Sequence, residues 1–175
     1  MDALILCVEC NKKSESDKKY IDNVIKNFYH VDTSIKICYV NFSGKGNYQS
    51  NKVINAIKSI KSQRHFSKVN VIYCVDVDKI QADADANMLN EQIKEFCKRN
   101  NYEFVWFCEN IEEVFLHKKV VGSREKQSEA KKVGRENSIG KATIESLSAT
   151  VLGKEKSNLM LVLNKCLKKR INQQI

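Results

Sequence analysis

Three acidic residues follow two short apolar runs of the chain. Glu9 comes directly after Ala3–Val8, and Asp76 and Asp78 close a run that begins at Val69. Both runs are rich in aliphatic side chains and nearly free of charge, a pattern typical of buried parallel strands. Carboxylates just past the C-terminal ends of such strands lie in the crevice where open α/β sheets bind ligands. We therefore expect the three acids to lie close together.

Three neighbouring carboxylates repel one another unless a divalent cation neutralises them. Hard cations such as Mg²⁺ prefer oxygen ligands, and Mn²⁺ accepts the same donors. Alternate residues of an extended segment point the same way, so Asp76 and Asp78 can face one ion together. The pattern predicts a metal site at Glu9, Asp76 and Asp78 that handles phosphates. The alternative is that the two aspartates only cap the loop or helix that follows them.

The excess positive charge lies in the last third of the chain. Residues 1–117 contain equal numbers of basic and acidic residues, so the whole net charge of +9 falls in 118–175. Lysine and arginine release counterions from a phosphate backbone, and this distribution favours contact with nucleic acid. A lysine-rich, solvated helix surface is the alternative. The residues expected to bind nucleic acid are Lys118, Lys119, Arg124, Lys126, Lys131, Lys132 and Arg135.

The spacing of apolar residues predicts the scaffold that positions these groups. Strand-like and helix-like segments alternate, in the order 3–8, 17–30, 35–42, 53–60, 69–78, 88–97 and 103–108. This alternation is typical of an α/β fold with a mostly parallel sheet flanked by helices. Trp106, together with Phe104 and Phe107, is interpreted as part of the core of the last strand and not as a stacking surface.

The basic part of the chain has a different pattern. Apolar residues at 144–152 and 159–171 predict one or two closing helices. We therefore expect an α/β domain over residues 1–117 and a basic helical C-terminal extension over 118–175 that packs on or beside it.

The cysteines and the lengths of the apolar runs indicate the cellular compartment in which the protein is expected. Cys7, Cys38, Cys74 and Cys108 lie in or at the end of apolar runs, where reduced cysteine behaves as a small buried hydrophobe. Cys7 and Cys10 form a C-x-x-C, but no second such pair exists, which favours core packing over redox or zinc chemistry. No apolar stretch reaches the roughly 18 residues that span a bilayer, and the first run is predicted to be a strand and not a signal peptide. We expect a cytoplasmic protein with no membrane partner.

A glutamate after the first strand and an Asp-x-Asp after a later strand, in a small α/β domain, resemble the Toprim domain. That domain is found in topoisomerases, bacterial primases and several nucleases, and the resemblance covers about residues 1–117. In such proteins the glutamate commonly acts as general acid or base, and the Asp-x-Asp binds Mg²⁺ and assists phosphoryl transfer. The resemblance therefore implies that Glu9, Asp76 and Asp78 are catalytic and hold the metal.

Within that group the chain looks most like the RloB-like family of prokaryotic phage-defence loci. The block from Leu4 to Asp17 resembles that family's strand-acid-polar-acid opening. The segment from Asn110 to His117 resembles its Asn-x-x-x-Glu segment, with a spacing one residue shorter. The match implies a catalytic role for Glu113, with Glu109 and Asn110 as competitors. Acids at the start of a short helix also favour the helix dipole with no chemistry implied.

Two positions depart from the family pattern. Cys10 stands where the family usually has a glycine, which would let the backbone approach a ligand closely, and Ile111 stands where it has a proline. The leading hypothesis is an Mg²⁺- or Mn²⁺-dependent nuclease acting on DNA or RNA in bacterial phage defence, with a protein partner from the same system. One alternative is a catalytically degenerate interaction or sensor subunit of a larger complex. Another is a doubly wound domain that binds a small nucleotide.

Overall fold

The computed structural model describes residues 1–10, 15–77 and 84–170. The strands among these residues are β1 (Asp2–Val8), β2 (Tyr29–His30), β3 (Ile35–Asn41), β4 (Lys68–Val77), β5 (Glu103–Cys108) and β6 (Lys168–Lys169). The helices are α1 (Ser16–Phe28), α2 (Asn51–Lys61), α3 (Ala84–Arg99), α4 (Ile111–Leu116), α5 (Ser123–Glu136), α6 (Ile144–Leu147) and α7 (Leu159–Leu163). A 3₁₀ turn covers Lys45–Asn47.

Four of the strands form one parallel sheet in the order β3-β1-β4-β5. The two central strands, β1 and β4, are paired so that Val8 lies beside Cys74 near their C-terminal ends. Helices cover both faces of the sheet, which is why β1 is buried from Ala3 to Val8 with no polar alternation. The predicted α/β fold, with a parallel sheet flanked by helices, is confirmed.

The side chains of β4 divide between two hydrophobic clusters, one on each face of the sheet. Cys74 belongs to the cluster that α1, α4 and α5 cover, whereas Tyr73 and Val75 belong to the cluster that α2 and α3 cover. Successive residues of a strand point to opposite faces. Asp76 therefore lies on the α1 face of the sheet and Val77 on the α3 face.

The packing of α5 against α1 joins the basic part of the chain to the sheet domain. Ala130 and Val133, on one face of α5, are buried in the same cluster as Tyr20 of α1. Asn23 is also buried, and its Nδ2 donates to the carbonyl oxygens of Val133 at 2.7 Å and Ser138 at 2.9 Å. Residues on both sides of position 117 thus share one hydrophobic core.

The closing helices are shorter than the apolar pattern predicted. α6 ends at Leu147 and α7 at Leu163, whereas the pattern reached residues 152 and 171. The chain before α7 instead follows the edge of the sheet, and after α7 it forms β6, which pairs with β2. No helix among the described residues has both the length and the apolar character needed to cross a membrane.

The outer edge of β5 is covered by the segment that precedes α7. The Asn158 side chain accepts from the Trp106 N–H at 2.9 Å and donates to the Phe104 carbonyl at 3.0 Å. The Ser157 hydroxyl donates to the Trp106 carbonyl. These side chains take the hydrogen bonds that a further strand would make, so they protect an edge that could otherwise pair with another chain.

Candidate functional site

Glu9 and Asp76 meet at the C-terminal edge of the sheet. Glu9 directly follows β1, Asp76 is the penultimate residue of β4, and the two strands are neighbours. The Glu9 Oε1 accepts a hydrogen bond from the Asp76 N–H at 2.9 Å. The predicted convergence of these two acids is therefore present in the structure. Asp78, the third acid of the predicted set, lies outside the described residues.

Asp17 brings a further carboxylate to the same edge. It lies in the first turn of α1, where its Oδ2 accepts from the Cys10 N–H at 2.9 Å and its Oδ1 from the Ser16 hydroxyl at 2.9 Å. These bonds hold the chain after β1 against the start of α1. Asp17 was not among the predicted site residues, although an acid in the first turn of the helix after the first strand is a usable signal. The N-terminus of that helix returns to the C-terminal edge of the sheet.

Glu112 adds a carboxylate from α4. Its side chain is only 1% exposed, and its Oε2 lies 3.0 Å from the Lys126 Nζ. Its Oε1 has no hydrogen-bond partner among the residues that the structure describes. The start of α4 is held at the site by Asp76, whose Oδ1 accepts from the Ile111 N–H at 3.0 Å.

The family resemblance implied a catalytic role for Glu113, but its side chain takes part in the capping of α4. Its N–H donates to the Asn110 Oδ1 at 2.9 Å, and its Oε1 accepts from the Asn110 Nδ2 at 3.0 Å. Asn110 is the N-cap of α4, so these bonds close the first turn of the helix. Among the described residues, Glu112 lines the same cavity as Glu9, Asp17 and Asp76, whereas Glu113 and the competitor Glu109 do not.

Lys126 is contributed by α5 and lies among the acids. It is spaced four residues from Ala130 and seven from Val133, so the face of α5 that is buried also directs Lys126 to the site. Its side chain is 34% exposed. Together Glu9, Asp17, Asp76, Glu112 and Lys126 line a cavity of about 300 Å³, which we call the carboxylate cavity.

Three acids of the cavity, Asp76, Asp17 and Glu112, have raised pKa values. Burial, and then the charges of Glu9, Asp17 and Glu112, raise the pKa of Asp76 well above its ordinary value. Burial also raises the pKa of Asp17, against the opposing effect of the hydrogen bond from Ser16. The same cause raises the pKa of Glu112, although Lys126 opposes it. Ionisation of all three acids at once is therefore unfavourable in the metal-free chain.

Lys126 supplies part of that compensation. Burial disfavours its charged form, but the attraction of Glu112, Asp76 and Asp17 outweighs burial, so the pKa of Lys126 is raised. It therefore stays a cation at neutral pH. Lys126 was predicted to bind nucleic acid, and the structure places it inside the carboxylate cavity instead of on the outer surface of α5.

The remaining predicted basic residues lie around α5. Lys118 forms an ion pair with Glu129 at 2.8 Å. Five others are exposed to solvent, namely Lys119, Arg124, Lys131, Lys132 and Arg135. Lys131 and Arg135 also border a cleft with Lys19 and Lys26 of α1. The basic surface therefore includes α1 as well as α5.

Cys10 lies at the rim of the cavity as a free thiol. Burial, followed by the charge of Asp17, raises its pKa to about 12, so the thiol is protonated at neutral pH. Cys7 is buried in the sheet and is also free. A protonated thiol is a poor nucleophile and a poor metal ligand, which agrees with the packing interpretation of the C-x-x-C.

The cavity offers carboxylate oxygens, which are the ligands that hard divalent cations prefer. One of them, the Glu112 Oε1, has no hydrogen-bond partner among the described residues. In the described part of the chain, however, no group of three or more His, Cys, Asp or Glu residues is arranged to hold a metal ion.

Comparison with protein families and with curated proteins gives no match. Among solved structures, a de novo designed Rossmann fold protein is 15% identical and aligns with a TM-score of 0.31 over 77% of this chain and 98% of that chain. Because this TM-score is low, the description of the fold rests on the strand order and pairing of the chain itself.

Proposed function

We propose that this protein is a divalent-metal-dependent nuclease that hydrolyses nucleic-acid phosphodiesters. The observation that supports the proposal is the convergence of Glu9, Asp17, Asp76 and Glu112 at the C-terminal edge of a parallel sheet, beside a basic helix. Such an edge is where α/β sheets bind ligands, and buried carboxylates with raised pKa values are typical of functional sites. The resemblance to RloB-like proteins is the reason to place the activity in bacterial phage defence.

Glu9 and Asp76 are the described residues that would hold Mg²⁺ or Mn²⁺, with Asp78 as the third ligand. When bound, the ion would stabilise the attacking and leaving oxygens of the phosphodiester. Glu9 is oriented for this role by its bond from the Asp76 N–H, and the resemblance gives it the further role of general acid or base. In hydrolysis, water attacks phosphorus, a carboxylate accepts the proton from the water, and the departing alkoxide takes up a proton as the P–O bond breaks.

Lys126 would act on the substrate and not on the metal. Its ammonium is held within the cavity by Glu112 and remains charged at neutral pH. A phosphate oxygen entering the cavity would find in Lys126 a hydrogen-bond donor of opposite charge. The exposed basic residues of α5 and α1 would then hold the flanking backbone, since both helices border the carboxylate cavity.

The alternative function is a degenerate, non-catalytic interaction subunit. The position of Lys126 favours this alternative, because a permanent cation beside Glu112 neutralises part of the charge of the four carboxylates without any metal. Cys10 at the position of the family glycine points the same way. The two functions differ in one simple property: only the nuclease needs a divalent ion that binds the folded chain.

Thermal unfolding with and without millimolar Mg²⁺ or Mn²⁺ separates the two functions. A ligand that binds only the folded state at ten times its Kd adds about 1.4 kcal/mol to the free energy of unfolding. We expect such a shift in the wild type and none in a variant that carries Asp76→Asn with Asp78→Asn. The control carries Asp32→Asn with Asp85→Asn, which removes two charges from exposed positions, and it should shift like the wild type.

Cleavage of end-labelled single- and double-stranded DNA and RNA tests the activity itself. The variant with Asp76→Asn and Asp78→Asn should lose cleavage while keeping its unfolding transition, and the control should keep cleavage. Retained cleavage in the Asp76/Asp78 variant would remove the nuclease proposal. If the wild type shows neither a metal-dependent shift nor cleavage of any substrate, the interaction subunit is the better account.

A further inference from the structure

A cleft between α1 and α5 gathers basic side chains from both helices. Its volume is about 300 Å³, and among the described residues it shares no lining residue with the carboxylate cavity. Asp22 is the one acid among its described lining residues, against four basic residues, namely Lys19, Lys26, Lys131 and Arg135. Three of these four, Lys26, Lys131 and Arg135, are exposed to solvent. The cleft is therefore positively charged and open to a ligand from solution.

The positive charge of the cleft is not neutralised by ion pairs within the described part of the protein. None of its four basic residues pairs with a carboxylate there, whereas Lys126 of the same helix α5 pairs with Glu112. The one acid of the cleft has another contact, because the Asp22 Oδ1 accepts from the Tyr39 hydroxyl at 2.6 Å. Like charges around one cleft repel one another, and an anion bound between them would relieve that repulsion.

Gly134 of α5 lies in the same cleft and is exposed. Inside a helix glycine is less favourable than any residue except proline. The left-handed conformation that ends α5 belongs to Asn137, so Gly134 is not needed as a helix cap. A Cβ added at Gly134 would meet no neighbouring atom within 4 Å in the described part of the chain, so close packing does not require glycine either. Its missing side chain does leave room for a ligand backbone to approach α5 closely.

The cleft continues from the carboxylate cavity, because α1 and α5 run side by side in the same direction. Near the beginnings of the two helices, Asp17 and Lys126 both line the carboxylate cavity, and further along the Asn23 side chain donates to the Val133 carbonyl. Lys131 lies five residues beyond Lys126, which is about 7.5 Å along the helix axis. A strand with one phosphate in the carboxylate cavity can therefore place a neighbouring phosphate in the cleft.

We propose that this cleft binds the sugar–phosphate backbone of the nucleic-acid strand that enters the carboxylate cavity. The phosphates would contact basic side chains from both walls, and the strand would pass over Gly134, where no side chain holds it away from α5. No aromatic residue is among the described lining residues, so the cleft offers contacts to phosphates and no surface on which bases stack. The identity of the ligand rests on the proposed function, but this binding needs no divalent ion.

Fluorescence anisotropy of labelled oligothymidylate and oligodeoxyadenylate tests the α1 wall of the cleft. EDTA is present throughout, so the result does not depend on whether the protein cleaves nucleic acid. Lys19→Gln with Lys26→Gln should reduce the magnitude of the slope of log Kobs against log salt by about 1.4, at about 0.7 for each lost phosphate contact. The reduction should be the same for both oligonucleotides. Lys52→Gln with Lys58→Gln, at exposed positions of α2, is the matched control and should keep the wild-type slope.

Gly134→Leu tests the close approach without changing any charge. Because leucine favours a helix more than glycine does and meets no neighbour there, we expect the urea midpoint of unfolding to rise. Binding of oligothymidylate should nevertheless weaken at least tenfold, since the leucine side chain occupies the path of the strand. Ser59→Leu, at an exposed position of α2, is the control for an added leucine on a helix surface and should bind like the wild type.

Three results would overturn the proposal. The first is wild-type affinity in Gly134→Leu, and the second is an equal change of slope in the Lys19/Lys26 and Lys52/Lys58 variants. The third is displacement of the oligonucleotide by polyglutamate of equal charge as readily as by unlabelled oligonucleotide, which would make the ligand an acidic peptide. Absence of cleavage or of a metal-dependent shift in unfolding would count against the nuclease alone, because these binding measurements contain no divalent ion.

Discussion

At the scale of single residues, Asp76 is the acid of the carboxylate cavity whose ionisation is opposed both by burial and by three neighbouring acids. Its pKa is raised first by burial and then by three neighbouring acids, while its Oδ1 accepts a hydrogen bond from the Ile111 N–H. In the unfolded chain the same carboxyl titrates near its ordinary value. Stability that Asp76 contributes when protonated is therefore lost as pH rises from the unfolded pKa towards the raised folded pKa.

Asp76→Asn should stabilise the metal-free protein at neutral pH. The amide is neutral, and its Oδ1 can still accept from the Ile111 N–H, so the change removes repulsion and keeps the contact. Since one unit of pKa shift corresponds to about 1.4 kcal/mol, we expect a gain on the order of 1 kcal/mol that shrinks as pH falls. Urea unfolding in EDTA at about pH 7.5 and about pH 5 measures it. A gain that does not depend on pH, or a loss at neutral pH, would contradict this account.

Removal of Lys126, unlike the Asp76→Asn change, should destabilise the protein, because the buried Glu112 carboxylate depends on its charge. Lys126→Met would leave a carboxylate that is 1% exposed without its cation, and breaking a fully buried pair costs roughly 3–5 kcal/mol. Lys126 is 34% exposed, so we expect a smaller loss of about 2 kcal/mol in the free energy of unfolding at neutral pH. The loss should shrink at lower pH, because removal of Lys126 raises the pKa of Glu112 further and protonation then relieves the unpaired charge.

A double-mutant cycle with Glu112→Gln shows whether the pair itself causes the loss. In the Glu112→Gln background no buried charge remains at that position, so Lys126→Met should cost less than in the wild type. Lys132→Met, at an exposed position of the same helix, controls for the change in helix composition. Strictly additive losses would mean that Lys126 acts through packing or through Asp76 and Asp17, and not through Glu112.

At the scale of elements, the sequence predicted the strands and the acids that follow them better than the groups that complete the site. The runs before Glu9 and within β4 are uniformly apolar, so their ends, and the meeting of Glu9 with Asp76, follow from local pattern. Lys126 enters the cavity only because α5 folds back on α1, a contact between residues about 110 positions apart. The choice of Glu112 over Glu113 depends on the rotation of α4, which the Asn110 cap sets.

The outer surface of α5 should contact nucleic acid through phosphates. Each phosphate contact contributes about 0.9 to the slope of log Kobs against log salt for duplex DNA and about 0.7 for single strands. We therefore expect Lys131→Gln with Lys132→Gln and Arg135→Gln to reduce the magnitude of that slope by about 2–3 and to weaken binding regardless of sequence. Fluorescence anisotropy of a labelled oligonucleotide between about 50 and about 200 mM salt measures both quantities.

The matched control removes the same residue types from the other face of the sheet. Lys52→Gln, Lys58→Gln and Arg64→Gln are at exposed positions in and just after α2, so they lower net charge equally without changing α5. If the control changes the slope as much as the α5 variant does, binding follows overall charge and not a surface on α5.

At the scale of the whole molecule, the basic part of the chain is tied to the sheet domain by packing as well as by charge. Ala130 and Val133 of α5 and Leu159 and Leu163 of α7 are buried in the cluster that also contains Tyr20. The segment before α7 covers the edge of β5. The predicted boundary at residue 117 follows the change in charge, whereas the hydrophobic core continues across it.

Removal of residues 118–175 should therefore prevent cooperative folding of the remaining chain. The fragment 1–117 would expose the side chains of α1 and α4 that α5 and α7 cover, together with the hydrogen-bonding edge of β5. It would also lose Lys126 and leave Glu112 without its cation. We expect the fragment to keep helical far-ultraviolet dichroism, lose near-ultraviolet dichroism, bind ANS and tend to aggregate. A fragment that unfolds in one sharp transition would instead establish 1–117 as an independent domain, with 118–175 as an appendage that only adds charge.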